Sequence, residues 1–112
     1  MNILKREQIL TATDTPLIPV EIPEWNGIVY IRAMSLAALK SLTDRIKARG
    51  GDENAAFIAV NVALDQSGQR LFKDEDEAVL KERSIKALNR IVTAFNQANE
   101  LTEARVDAAV GN

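Results

Sequence analysis

Apolar residues crowd between Ala55 and Leu64, where Ala55-Ala56-Phe57-Ile58-Ala59-Val60 and Val62-Ala63-Leu64 are interrupted only by Asn61. A surface helix carries one apolar stripe; this run is apolar nearly all the way round, which predicts a helix buried in the middle of a small domain. It falls short of the about 20 apolar residues that cross a bilayer. Asp52 or Glu53 is expected to open the helix, and Asp65-Gln66-Ser67-Gly68 to end it, with Gly68 free to take φ > 0. Gln69 to Phe72 reads as a short extended link. Asp74 then reads as an N-cap with Glu77 completing a capping box, while Glu75 and Asp76 favour the positive helix end.

Upstream, the period changes. Leu17 to Ala33 alternates in the manner of strands, and Asn26-Gly27 is a signal for a two-residue type I′ hairpin turn. Pairing outward from that turn sets Trp25 opposite Ile28, Ile22 opposite Ile31 and Glu21 opposite Arg32. Val20, Ile22, Val29, Ile31 and Ala33 then share a face fit for covering by helices. Trp25, Ile28 and Tyr30 fall on the other face. Pro19 and Pro23 cannot donate to a ladder, so the first strand is expected at an edge. Two strands alone are marginal in water, so the hairpin must lean on helices or on a partner.

Helical spacing returns after Ser35, an N-cap for a helix to Arg49 with a buried stripe of Leu36, Leu39, Leu42 and Ile46, stopped by Gly50-Gly51. After the Asp74 cap, Ala78-Val79-Leu80 brings a short helix to Arg83-Ser84. Ser84 to Asn99 then carries Ile85, Leu88, Ile91, Val92 and Phe95 on one side, either continuing the preceding helix with a bend or starting anew at Ser84. Thr102 caps a last short helix over 103 to 110, and Ile3, Leu4, Ile9 and Leu10 mark about two turns of helix near the N-terminus, stopped by Asp14-Thr15-Pro16. Together these predict an α+β fold, mainly α, with an N-terminal β-hairpin packed against a small bundle of about four to five helices. The whole of 1–112 reads as a single domain: an arm over 1–16, either mobile or docked on another subunit, a hairpin over 17–33 and a helical part over 35–110. There is no internal repeat.

Composition removes most chemistry. The 112 residues contain neither Cys nor His, so thiolate nucleophiles, disulfides and the commonest proton shuttle are absent. The net charge of −2 lacks the basic excess of a nucleic-acid binder. Counted from Asp65 as a calcium loop, Arg70 stands where the sharp-turn glycine belongs and Lys73 lies three residues on, so no metal is expected. The serines have neither a nucleophile-elbow setting nor a base, and Gly50-Gly51 lacks the Lys-Ser/Thr of a phosphate loop. Lys40, Arg45, Lys47 and Arg49 make one helix locally basic, and their spacing with Asp44 suits a solvated face with weak ion pairs. The charged N-terminus lacks the apolar run of a signal peptide, and a cytoplasmic protein is expected. The residues read as a binding protein, with no enzyme activity, no cofactor, no small-molecule substrate and no membrane partner.

One resemblance sharpens this. A helix ending Ala63-Leu64-Asp65, a Gly68 turn, Leu71-Phe72 and then an Asp-rich helix start resembles the tail assembly chaperones of long-tailed (siphovirus-type) phages and prophages. Val20-Glu21-Ile22-Pro23-Glu24-Trp25-Asn26-Gly27, then Val29-Tyr30-Ile31-Arg32, looks like the N-terminal segment of that family, and the likeness covers residues 18 to 107. It implies a chaperone that keeps the tape measure protein soluble and helps recruit tail tube subunits in the host cytoplasm, without entering the finished virion. A homo-oligomer is expected. Independently of the family, the hairpin register offers Trp25, Ile28 and Tyr30, with Leu71 and Phe72, as candidate protein-contact residues, Tyr30 leaning towards the core. The alternative is a small phage or bacterial nucleic-acid-binding regulator.

Overall fold

The helix apolar on all sides does sit at the centre. The computed structural model describes residues 2–50 and 54–100. In it α3 (Ala55–Val62) buries Ala56, Ala59, Val60 and Val62, with Phe57 and Ile58 partly covered. The helix starts at Ala55 after Asn54, while Asp52 and Glu53, expected to open it, and the helix expected over 103–110 lie outside the described residues. Around it stand α2 (Leu36–Arg49), the short α4 (Glu77–Leu80) and α5 (Ile85–Ala98), with a two-stranded antiparallel sheet of β1 (Leu17–Ile22) and β2 (Gly27–Arg32). A fifth helix, α1 (Arg6–Leu10), buries nothing. The architecture is α+β and mainly helical, with the hairpin packed against the bundle, as the pattern predicts. α5 is the strut between layers: its Ala87, Leu88, Ile91 and Phe95 are buried, and it packs on both strands and on α3.

The hairpin keeps its faces but not its turn. Pro23–Trp25 forms a 3-10 turn, Asn26 alone takes the left-handed conformation, and Gly27 already belongs to β2. A type I′ turn needs φ > 0 at both central residues; Pro23, with φ fixed near −65°, starts a helical turn instead. The register closes Ile22 on Gly27, Val20 on Val29 and Ile18 on Ile31, four residues away from the pairing outward from Asn26-Gly27. Because side chains alternate with period two, an even slip leaves every residue of the two strands on its expected face. Val20, Ile22, Val29 and Ile31 are all buried. Glu21 therefore opposes Ile28 rather than Arg32, and the Arg32 guanidinium instead donates to the Thr15 carbonyl at 2.8 Å.

Several helix ends differ from expectation. α3 stops at Val62, not at Gly68; Gly68, at φ +86°, closes the Asp65–Gly68 turn beyond it. There a Cβ would come within 2.6 Å of Arg32 Nη2. Before α4 the cap shifts by one residue: the Lys73 N–H donates to the Asp76 carboxylate at 2.8 Å, and Asp74 pairs with Arg70. Ser35 and Ser84 do cap α2 and α5, accepting from the N–H groups of Ala38 and Ala87, so 75–99 holds two helices. The residue after each serine, Leu36 or Ile85, is exposed rather than part of a buried stripe. α2 docks through Leu39, Leu42, Thr43 and Ile46, and the buried Thr43 hydroxyl donates to the Lys40 carbonyl. Gly50 ends α2 in the left-handed region. Among the described residues no helix is long and apolar enough to cross a membrane.

The two hairpin faces should separate in a stability assay. Ile31→Ala, at a fully buried site, is expected to cost about 2–5 kcal/mol. Ile28→Ala, on the opposite face and more than half exposed, should cost no more than about 0.5 kcal/mol. Urea denaturation of both variants, compared at constant m-value, measures the difference.

Candidate protein-docking surface

The outer face of the hairpin is completed by the segment between α3 and α4. Ala63 leaves the helix with extended backbone, and Leu64 then pairs with β2, exchanging N–H···O bonds with Tyr30 at 3.0 and 2.7 Å. Arg70 returns alongside Leu64, so the Asp65–Gly68 turn hangs at the edge of the sheet. Opposed residues project to one side of a sheet, which places Ile28, Tyr30 and Leu64 on the face away from the core. With Leu71, Asp65 and Gln66 they line an open groove of about 260 Å³. Leu64 is buried at its floor and lies apart from the main core cluster, while Ile28 and Leu71 stay about half exposed at its walls.

The five residues singled out in the sequence divide accordingly. Ile28, Tyr30 and Leu71 come together in the groove. Trp25, carried inward by the 3-10 turn, and Phe72 are partly buried against the core. Leu64 is the groove residue that periodicity hid, since it reads as the end of the apolar helix. The Ala63-Leu64 step before a turn rich in Asp, Ser and Gly was the available signal.

Charged side chains hold the surface in place. Asp65 Oδ1 accepts from the Ser67 hydroxyl at 2.6 Å and from the N–H groups of Ser67 and Gln69 at 2.8 and 3.0 Å. These bonds, the Ser67 hydroxyl foremost, hold its carboxyl below the usual range, and they tie its oxygen to its own loop. Arg70 donates to the Val60 carbonyl and to Asp74, fastening the loop to the end of α3. At the hairpin tip, Arg90 of α5 makes a forked pair with Glu24 at 2.7 and 2.9 Å, which lowers the Glu24 pKa and raises that of Arg90. On the far side Arg49 clamps Glu77 at 3.0 and 2.6 Å with its guanidinium 4.2 Å from the Phe57 ring centre.

A second cavity, also about 260 Å³, lies where β2 runs into α2, between Thr15, Arg32, Ser35, Ala38, Asn61 and Gly68. Its Arg32 is engaged by Thr15 and packed on Gly68. Among the described residues no cluster of acidic side chains is arranged to hold a metal ion. Comparisons with protein-family models, with curated proteins and with solved structures find no match to this chain.

The Arg49–Glu77 clamp sets an acid limit on stability. Arg49 holds the Glu77 carboxyl below its ordinary value of 4.5, against the opposing effect of burial. A carboxyl with a depressed folded-state pKa stabilises the fold fully above its unfolded value and loses that contribution as pH falls through the folded one. Melting temperature should therefore drop below pH 4.5, and Glu77→Gln should flatten that part of the profile while lowering the plateau at neutral pH. Thermal melts of both chains across this range measure it.

Proposed function

We propose that this chain is a non-enzymatic tail assembly chaperone, which binds the tape measure protein of a long-tailed phage, keeps it soluble and helps to recruit tail tube subunits around it. The observation that carries the reading is the groove whose walls, Ile28 and Leu71, are half exposed around Tyr30 and Leu64. Its apolar lining and open shape suit the apolar stripe of an amphipathic helix, the mode in which a long helical client offers itself. The likeness of Ala63-Leu64-Asp65, Leu71-Phe72 and the hairpin to the chaperone family supplies the client's identity. Action in the host cytoplasm belongs to the same reading.

The nucleic-acid reading draws less support. Of the basic residues on α2, Lys40 pairs with Asp44, Arg45 donates to Asn61, and Arg49 is held by Glu77 and Phe57. A recognition helix needs such side chains turned outward to phosphates and base edges.

Co-expression with the tape measure protein of the same genome tests the proposal. The tape measure should move into the soluble fraction and be retained with the tagged chain. Ile28→Lys combined with Leu71→Lys should cut that recovery by about tenfold or more, as expected when a central apolar contact is lost, with the melting temperature nearly unchanged. Insolubility of the tape measure in the presence of the chain, or recovery indifferent to both lysines, overturns it.

A further inference from the structure

The N-terminal arm is well formed for a segment that buries nothing. Its short helix α1 is started by the Lys5 N–H donating to the Gln8 side chain at 2.8 Å, and Thr11 closes it with N–H and hydroxyl bonds to the Glu7 carbonyl. Yet Ile3, Leu4, Ile9 and Leu10 are all exposed, Ile3 almost completely. Soluble proteins leave single apolar side chains in water without consequence, but a contiguous group marks a contact surface. Ala33 N–H bonding to the Pro16 carbonyl ties the root of the arm beside the open end of the hairpin, and among the described residues the arm's helix buries no side chain.

Charge identifies where such an arm belongs. Between its two apolar pairs lie Lys5, Arg6, Glu7 and Gln8, two cations against one carboxylate, and the arm's one ion pair among the described residues is a 4.0 Å contact of Arg6 with Glu7, both well exposed. Besides Arg70, which is bridged to Leu64 but paired with Asp74, the groove of Ile28, Tyr30, Leu64 and Leu71 is bordered by two carboxylates: Asp65 in its lining and Glu21 directly across the ladder from Ile28. Neither forms a salt bridge among the described residues. An apolar trough with an acidic border matches an apolar segment with a basic middle.

We infer that the arm of one copy, residues 3–10, seats in the Ile28–Leu71 groove of a second copy, so that the chain associates with itself through the surface it offers a client. This rests on the groove being a docking surface for apolar helical segments, as in the proposed function, and adds that the client and the arm compete for it. The arm then keeps the groove covered until a client displaces it.

Sedimentation of the full chain over a wide concentration range, without any client, provides the test. The chain should self-associate reversibly, and Ile9→Asp with Leu10→Asp should weaken this by about tenfold or more, leaving the melting temperature in place. Lys5→Glu with Arg6→Glu, and separately Glu21→Lys, should each weaken it, and combining them should restore it. Because the chain has no cysteine, mixed Ile9→Cys and Ile28→Cys chains should form a disulfide-linked pair faster than Ile9→Cys mixed with Lys40→Cys. A monomer throughout, association indifferent to the arm, no restoration on charge exchange, or equal cross-linking rates overturns the inference. If arm variants abolish association while Ile28→Lys with Leu71→Lys leaves tape measure recovery intact, the chaperone reading falls and this one stands; the reverse pattern removes this one alone.

Discussion

A helix made of Ala, Val, Ile and Phe with one Asn has no side to turn to water, and the fold results from covering it. α3 contributes Ala56, Ala59, Val60 and Val62 to the core. The small residues let α5 come close, and its buried Leu88, Ile91 and Phe95 join one core with α3 and the strands. Asn61, the polar interruption, is reconciled locally: its amide donates to the Phe57 carbonyl and its oxygen accepts from Arg45. Those bonds satisfy the amide where the surrounding helix partly covers it. Each of the surrounding elements is too short or too narrow in its stripe to bury much by itself. The central helix is what they have in common.

Arginine does the fastening between these elements. Arg45, Arg49, Arg70 and Arg90 each reach from one segment to another, and two of them make forked pairs with a carboxylate. The planar guanidinium supplies two parallel donors and can lie over a ring, which a lysine ammonium cannot reproduce. Glu24 with Arg90 fixes the hairpin tip on α5, while Glu77 and Phe57 with Arg49 fix the end of α2. The remaining face of the hairpin, where Ile28 and Tyr30 project, is thus held at a constant orientation by contacts that do not cover it.

Hydrophobic period made the core legible in advance: Val20, Ile22, Val29 and Ile31 were on one face whichever even register formed. Leu39, Leu42 and Ile46 of α2 and Leu88, Ile91 and Phe95 of α5 do pack on the core, while Val92 stays outside it. What period could not convey was where an element stops. Leu36 and Ile85 each come directly after a capping serine and continue the stripe in sequence, but the first residue of each helix is left exposed. The turn escaped for a related reason, since Pro23 and Trp25 impose a 3-10 turn that Asn26-Gly27 alone does not signal. As for the surface site, Ile28, Tyr30 and Leu71 were visible as candidates. Leu64 was not, because its place depends on a tertiary bridge to Tyr30.

The backbone also decides what kind of contact the outer face admits. Tyr30 gives both its N–H and its carbonyl to Leu64, so these groups point away from β1. Its partner across the ladder, Pro19, must then direct its backbone outward to the edge of β1 that no described strand pairs with. Proline has no N–H to offer there, so an added strand would find the middle of that edge one donor short. On the opposite edge the middle position is already taken by Leu64. A partner is thereby turned from strand addition towards the side chains of the face itself, where an aromatic ring, two half-exposed aliphatic walls and a buried leucine floor make a groove. A groove of that kind is filled by the apolar side chains of a helical segment more readily than by an extended one.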